Sequence, residues 1–315
     1  MALVIALFGA GLSTAQAAED CRLKQVASIP VTIGSGGRIL LDVSIDDHPV
    51  KLLLDTGAGF SLLDRGFVEQ AGLTLFDTRT LGYGLTGHGI SQATRVSTLK
   101  LGNYVSRNGD FAVGNGTGGR DGVVGLFGAD YLSNYDVEID LAAHRLVLYS
   151  QDHCSGNVVY WAKEYFRLPL SLTPGKRLDA DIEIDGKPLR ALIDTGASRD
   201  ALRLAVARRL FDIDPDAEGV QHRTSQGIDG TVDGFNHVFE SLTFGDITLH
   251  NTNIAIEDID AAKGALNKGT HLSGRIDQED MLIGMTLLHK LHLFIAYSEP
   301  ALYFTVAEAP KAAAN

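Results

Sequence analysis

Apolar residues along this 315-residue chain alternate with polar ones or gather into short runs, and Gly, Asn and Asp interrupt them every few positions. Residues 40–45, 137–141 and 145–149 are stretches of this kind, rich in β-formers and bounded by turn residues, and a period of two predicts strands. Helical spacing is scarce. Short helices are expected at residues 65–71, 129–134, 201–210 and 286–290, so the pattern predicts an all-β fold with a few short helices. Residues 2–12 stand apart as an uncharged apolar run, shorter than the roughly 20 residues that a bilayer span needs. Ala15-Gln16-Ala17 then supplies a small-x-small cleavage pattern, which predicts a secretory signal peptide over residues 1–17 despite the lack of Lys or Arg near Met1. A buried first strand is the other reading of that run. Export implies a periplasmic or secreted protein with no membrane span after signal removal.

The strands repeat. The fourteen residues from Ile45 to Ala58 return 139 positions later, from Ile184 to Ala197, with eight identities that include Asp55-Thr56-Gly57-Ala58 against Asp194-Thr195-Gly196-Ala197. An apolar-apolar-Gly triplet follows in each half, Val123-Val124-Gly125 and Leu282-Ile283-Gly284, each preceded by a strand-like triplet, Phe111-Ala112-Val113 and Ile254-Ala255-Ile256. Two copies of one unit are therefore expected: a lobe over residues 22–150, a polar join over 151–164, a second lobe over 165–308 and a frayed tail over 309–315. The second copy is longer between its glycines, 284 − 196 = 88 against 125 − 57 = 68, and most of the excess falls in a polar insertion at residues 258–280.

Composition narrows the function. Asp and Glu outnumber Lys and Arg 39 to 27, a net charge of −12 with the basic residues dispersed, which repels a phosphate backbone and argues against a nucleic-acid partner. Two cysteines exclude a disulfide scaffold and a four-thiolate zinc site. An oxidising compartment permits one bridge, and Cys21 with Cys154 is the one possible intramolecular pair, with two unrelated buried thiols as the alternative.

Two copies of apolar-apolar-Asp-Thr-Gly-Ala, each followed by apolar-apolar-Gly, resemble the aspartic proteases of the pepsin and retropepsin type over essentially the whole mature chain. The resemblance implies two acid-protease-like β-barrel lobes about a pseudo-twofold axis. It implies a monomer in which one chain supplies both catalytic carboxylates, Asp55 and Asp194, acting on a peptide or protein substrate without cofactor or metal. Thr56, Gly57, Ala58, Thr195, Gly196 and Ala197 would support the active-site loops, and Val123, Val124, Gly125, Leu282, Ile283 and Gly284 the strands behind them. The Gly-punctuated segments between the motifs would be flap hairpins, with Tyr83, Gly84 and Gly87 in the first lobe and Gly227 and Gly230 in the second; ordinary hairpin turns are the plainer reading.

The residue types make sense on chemical grounds as well. A buried Asp at a strand end needs hydrogen bonds, and Gly57 and Gly196 let the following N–H groups fold back against it without a Cβ in the way. Thr56 and Thr195 can bond backbone of the opposite loop. Two carboxyls brought face to face cannot both ionise, so one pair holds a general base and a general acid at one pH. The simpler alternative is a turn-capping motif without catalysis, and a non-catalytic periplasmic peptide-binding protein is the alternative function. Residues 114–119 match a dinucleotide fingerprint as a string, but a strand-like run follows where a helix is required, so a loop is expected. His289 and His292 lie in no His-Glu-x-x-His helix and read, with the other histidines, as scattered surface groups. No Gly-x-Ser-x-Gly elbow is present, and Trp161 reads as a packing residue at the join.

Overall fold

The alternating stretches fold as strands, and short helices form at Arg65–Gln70, Ala129–Leu132, Leu204–Phe211 and Met285–Leu288. The third starts later than its spacing predicts, because the β-branch-free stretch Ala201–Arg203 is taken up as a strand. This computed structural model describes residues 21–83, 89–114, 119–173, 175–226, 231–259 and 279–307. The expected signal peptide and tail, the core of the 258–280 insertion and both hairpin tips lie outside the described residues.

The two halves build the same barrel. Neighbouring strands in the first are Ile39–Ile45, His48–Leu54, Val123–Phe127, Leu62–Asp64, Tyr104–Gly114, Gly89–Leu101 and Leu75–Tyr83, in that spatial order. In the second they are Leu178–Ile184, Lys187–Ile193, Met281–Ile283, Ala201–Arg203, Ile247–Glu257, Thr231–Phe244 and Arg223–Gln226. Each row closes on itself, Ile45 pairing with Leu99 and Ile184 with Leu242. The result is two β-barrel lobes of one topology, related by a pseudo-twofold axis. Part of the repeat's identity is structural: Asp46 and Asp185 take φ of 45° and 48° in the turn of the first hairpin. Their carboxylates clamp the next strand, accepting from Ser97 and Thr98 N–H at 3.1 and 2.7 Å and from Ser241 N–H at 2.8 Å.

A six-stranded sheet joins the lobes, in the order Phe166–Pro169, Ala301–Val306, Leu291–Ala296, Asp136–Asp140, Arg145–Tyr149, Gln25–Ile33. Three strands come from each half, so this sheet crosses the expected boundary between them. Alternate residues such as Val137, Ile139, Leu148 and Ile295 turn one face into the main core. Val147, Tyr149, Phe294 and Tyr303 turn the other face toward the join, whose Val158, Val159 and Trp161 cover it. Trp161 stacks on His292 with ring centroids 4.1 Å apart and donates to Thr305. Cys21 and Cys154 are disulfide-bonded, fastening the join to the chain before the first strand. Two histidines correct the surface reading. His153, with a side chain 1% exposed, sits 2.6 Å from Asp136, and His292 lies 2.9 Å from Glu138; each offsets a carboxylate that the bridging sheet buries. Among the described residues no helix is long and apolar enough to cross a membrane.

Candidate active site

In each barrel one strand runs into the middle of the sheet and stops at an aspartate. His48–Leu54 ends at Asp55 and Lys187–Ile193 ends at Asp194, each strand lying parallel to the apolar strand behind it. The backbone anchors are equivalent: Asp55 N–H donates to Phe127 C=O at 3.0 Å and Asp194 N–H to Ile283 C=O at 2.9 Å. The chain then turns back on the carboxyl. Asp55 Oδ1 accepts the N–H groups of Gly57 and Ala58 at 3.0 and 2.9 Å, and Asp194 Oδ1 those of Gly196 and Ala197 at 2.9 and 3.1 Å.

The threonines lock the two loops together. Thr56 Oγ1 donates to Ile193 C=O at 2.7 Å and accepts Thr195 N–H at 3.1 Å, while Thr195 Oγ1 donates to Leu54 C=O at 2.9 Å and accepts Thr56 N–H at 3.1 Å. Both threonines are fully buried, so four hydrogen bonds satisfy six polar groups across the axis where water cannot reach them.

This lock sets each carboxyl against the opposite loop, Asp194 beside Gly57 and Asp55 beside Gly196, so the two acids face each other across the axis and titrate together. It also shows a second reason for the glycines: a Cβ on Gly57 would stand 2.4 Å from Asp194 Cγ, and one on Gly196 would stand 2.4 Å from Asp55 Cγ. Burial raises the carboxyl of Asp55 well above the ordinary range, with the charge of Asp194 and the hydrogen bond to it adding to the shift. Burial raises Asp194 too, but its N–H donors, the bond from Asp55 and the Arg177 guanidinium all favour its charge. Both carboxyls are raised, so the two share a single proton and titrate as one unit. No hydroxyl stands beside either carboxyl at the fourth loop position, where Ala58 and Ala197 contribute backbone N–H groups alone.

The supporting triplets are placed unequally. Leu282-Ile283-Gly284 lies directly behind Asp194, and Gly284 faces Ala197 and Arg199 backbone so closely that a Cβ would meet Arg199 O at 2.2 Å. Val123-Val124-Gly125 lies on the matching strand but one bulge early, since the register shifts between Lys51 and Leu53. The true counterpart is Leu126-Phe127-Gly128. Gly128 abuts the backbone of Ala58 and Phe60, and Ala129 N–H donates to Ala58 C=O at 2.8 Å as Met285 N–H does to Ala197 C=O at 2.9 Å. The apolar-apolar-Gly string just before a helix was the signal that separates it from Gly125. Two further residues carry no motif at all, Ser61 and Asp200: Gly128 N–H donates to Ser61 Oγ at 2.9 Å and Gly284 N–H to Asp200 Oδ1 at 2.8 Å. Tyr83 pairs with Gly89 in the first-lobe hairpin, and the matching hairpin of the second lobe pairs Gln226 with Thr231. Gly84, Gly87, Gly227 and Gly230 lie outside the described residues.

A family model described as aspartyl protease matches residues 41–131 and 180–287, both lobes with both loops. The chain belongs to the aspartyl protease family. Solved structures similar to this aspartyl protease family member include conglutin gamma, a basic 7S globulin from lupine seeds, at 11% identity and a TM-score of 0.50, covering 90% of this chain and 95% of that one. Basic 7S globulin from soybean is similar at 9% identity, TM-score 0.49 and 92% and 96% coverage. A retropepsin-like aspartic protease from Rickettsia conorii is 21% identical, with a TM-score of 0.31, over 41% of this chain and 96% of that one. No curated protein sequence matches this one.

Proposed function

We propose that this member of the family is an active aspartic endopeptidase, and the observation that carries the reading is the facing of two acids across the loop lock, each carboxyl against the other loop's glycine and both raised above the ordinary range. Asp194, held charged by its N–H donors and Arg177, takes a proton from a water that attacks the peptide carbonyl carbon. Asp55 gives its proton to the carbonyl oxygen as the tetrahedral intermediate forms. Asp194 then gives the proton it took to the amide nitrogen while Asp55 takes one from a hydroxyl of the gem-diol, so the C–N bond breaks into a carboxylic acid and an amine and the pair ends singly protonated on Asp55, as it began. One chain supplies both groups, so a monomer suffices. The Cys21–Cys154 bridge supports export to the periplasm or beyond.

A non-catalytic peptide-binding protein is the second reading, favoured by the globulins named among similar folds. Incubation of the purified protein with a diverse peptide library, with and without the transition-state mimic pepstatin, separates the two. Pepstatin-sensitive cleavage that vanishes in Asp55→Asn and Asp194→Asn is the expected result, and binding without cleavage by the wild type would overturn catalysis.

A further inference from the structure

The lobes differ where they hold the glycine behind each aspartate. In the first lobe Gly128 N–H donates to the hydroxyl of Ser61, which passes the bond on to Asp130 Oδ1 at 2.7 Å. In the second a carboxylate does this directly. Asp200, 2% exposed, accepts Gly284 N–H at 2.8 Å, and Leu287 N–H in turn donates to Gly284 C=O at 3.2 Å. Its own C=O accepts Ala255 N–H at 3.1 Å, which fixes it to the strand Ile247–Glu257. One peptide away, Ile283 C=O takes the N–H of Asp194, and Met285 N–H returns to Ala197 C=O. Every bond that aims the Asp194 loop from behind thus converges on the segment that Asp200 grips.

We propose that Asp200 is a positioning residue for Asp194, and that its ionisation tightens the second active-site loop directly, whereas in the first loop the Ser61 hydroxyl stands between Gly128 and the Asp130 carboxyl. This rests on the protease reading above. A charged acceptor holds the Gly284 N–H more strongly than a neutral one. Burial raises the Asp200 carboxyl to about 6, against the opposing pull of the Gly284 and Leu287 N–H groups and of Lys290 and His289 just beyond the helix. Arg199, on the same loop, turns instead to Ser225 and Glu257. The grip therefore changes within the pH range in which the enzyme would work.

The test compares Asp200→Ala and Asp200→Asn with the wild type. Asp200→Ala is expected to lower kcat about tenfold at pH 7 with KM within about twofold, the pattern of lost positioning rather than lost binding. Asp200→Asn, which keeps an acceptor but no charge, recovers most of that loss yet lacks the step near pH 6 in the wild-type kcat profile. A turnover-free readout runs alongside. A carboxyl raised in the folded state binds its proton there first, so wild-type Tm should rise relative to Asp200→Asn as pH falls from 7 to 5. Parallel Tm curves, an unchanged Asp200→Ala kcat, or an Asp200→Asn profile that keeps the step would each overturn the proposal. Diverging Tm curves with no peptide cleaved by any form, wild type included, would uphold the ionisation of Asp200 and strike the protease reading alone.

Discussion

The carboxyls on the axis between the lobes and those on the outer face of the bridging sheet are wired in opposite ways. At the axis, burial wins: Asp55 and Asp194 are both raised and must share a proton. On the bridging sheet, burial pushes Glu138 up as well, but His292, Tyr149 and Tyr160 all donate to it and outweigh that push, leaving its carboxyl below the ordinary range. Arg145 adds a guanidinium 3.3 Å away and also pairs with Asp140 at 3.2 Å. Glu138, Asp140 and His292 stand close enough to suggest a metal site, yet Arg145 already occupies the place of a cation. Burial alone does not make an acid reactive. The difference lies in whether hydroxyls and cations surround the group or another acid faces it.

The largest effect that sharpens this contrast is at the axis. Asp55→Asn and Asp194→Asn should each lower kcat by at least about 10³-fold, because the shared proton and the base are then lost together. Stability should hold or rise, since each variant removes a buried like-charge conflict. A variant that kept near wild-type turnover would break the dyad reading.

Glu138→Ala should do the reverse. Tyr149 and His292 would lose their acceptor, a loss of about 1–3 kcal/mol in unfolding free energy measured by urea titration, with kcat per folded molecule unchanged, while part-exposed Arg145 keeps Asp140 as its partner. The wild type should keep the Glu138 contribution above the unfolded carboxylate range and lose it only as pH falls through its lowered folded value. A Glu138→Ala protein of full stability would dissolve the contrast.

The disulfide belongs to the same outer face, since it anchors the join that carries Tyr160 and Trp161 over Glu138. Replacing Cys21 and Cys154 together by Ser should cost about 2–4 kcal/mol, chiefly by freeing the unfolded chain, again without a change in kcat. Urea midpoints of the two forms that coincide would show that the bridge does not restrain the fold.

The axis was far more legible in the sequence than the outer face, for physical reasons. Asp55 and Asp194 sit in a local string that repeats, and a repeat of strand-turn units predicts both barrels and their facing loops. Gly128 was masked by Gly125, which satisfies the same apolar-apolar-Gly pattern, because the bulge that shifts the register by Leu53 leaves no trace in residue order. Glu138 reads as the outward position of an alternating strand, and nothing near it announces that the join will fold over that face. Its partner His292 lies 154 residues away on a strand of the other half. Ser61 and Asp200 fill one structural position with different chemistry, so a search for identities passes over both.

The smallest effect concerns the fourth position of each active-site loop. Ala58 and Ala197 offer Asp55 and Asp194 a backbone N–H and no side-chain donor, and a hydroxyl there would favour the charged carboxylate. Ala58→Ser should therefore lower the acid limb of the kcat/KM profile, by about one to two units, the worth of one hydrogen bond to a charged group. The sign follows from the dyad: the acid limb marks the pH at which the pair takes up its second proton and loses its base, so any group that stabilises the single negative charge moves that limb down. The wild-type limb should lie above the first, strongly acidic step of pepsin, because burial raises both aspartates here. Ala197→Ser, placed beside the aspartate that already holds the charge, should act at least as strongly as Ala58→Ser. If neither substitution moves the acid limb, the protonation of the pair is set by burial and Arg177 alone, and the comparison with Glu138 reduces to solvent exclusion and cations with no part played by hydroxyl donors.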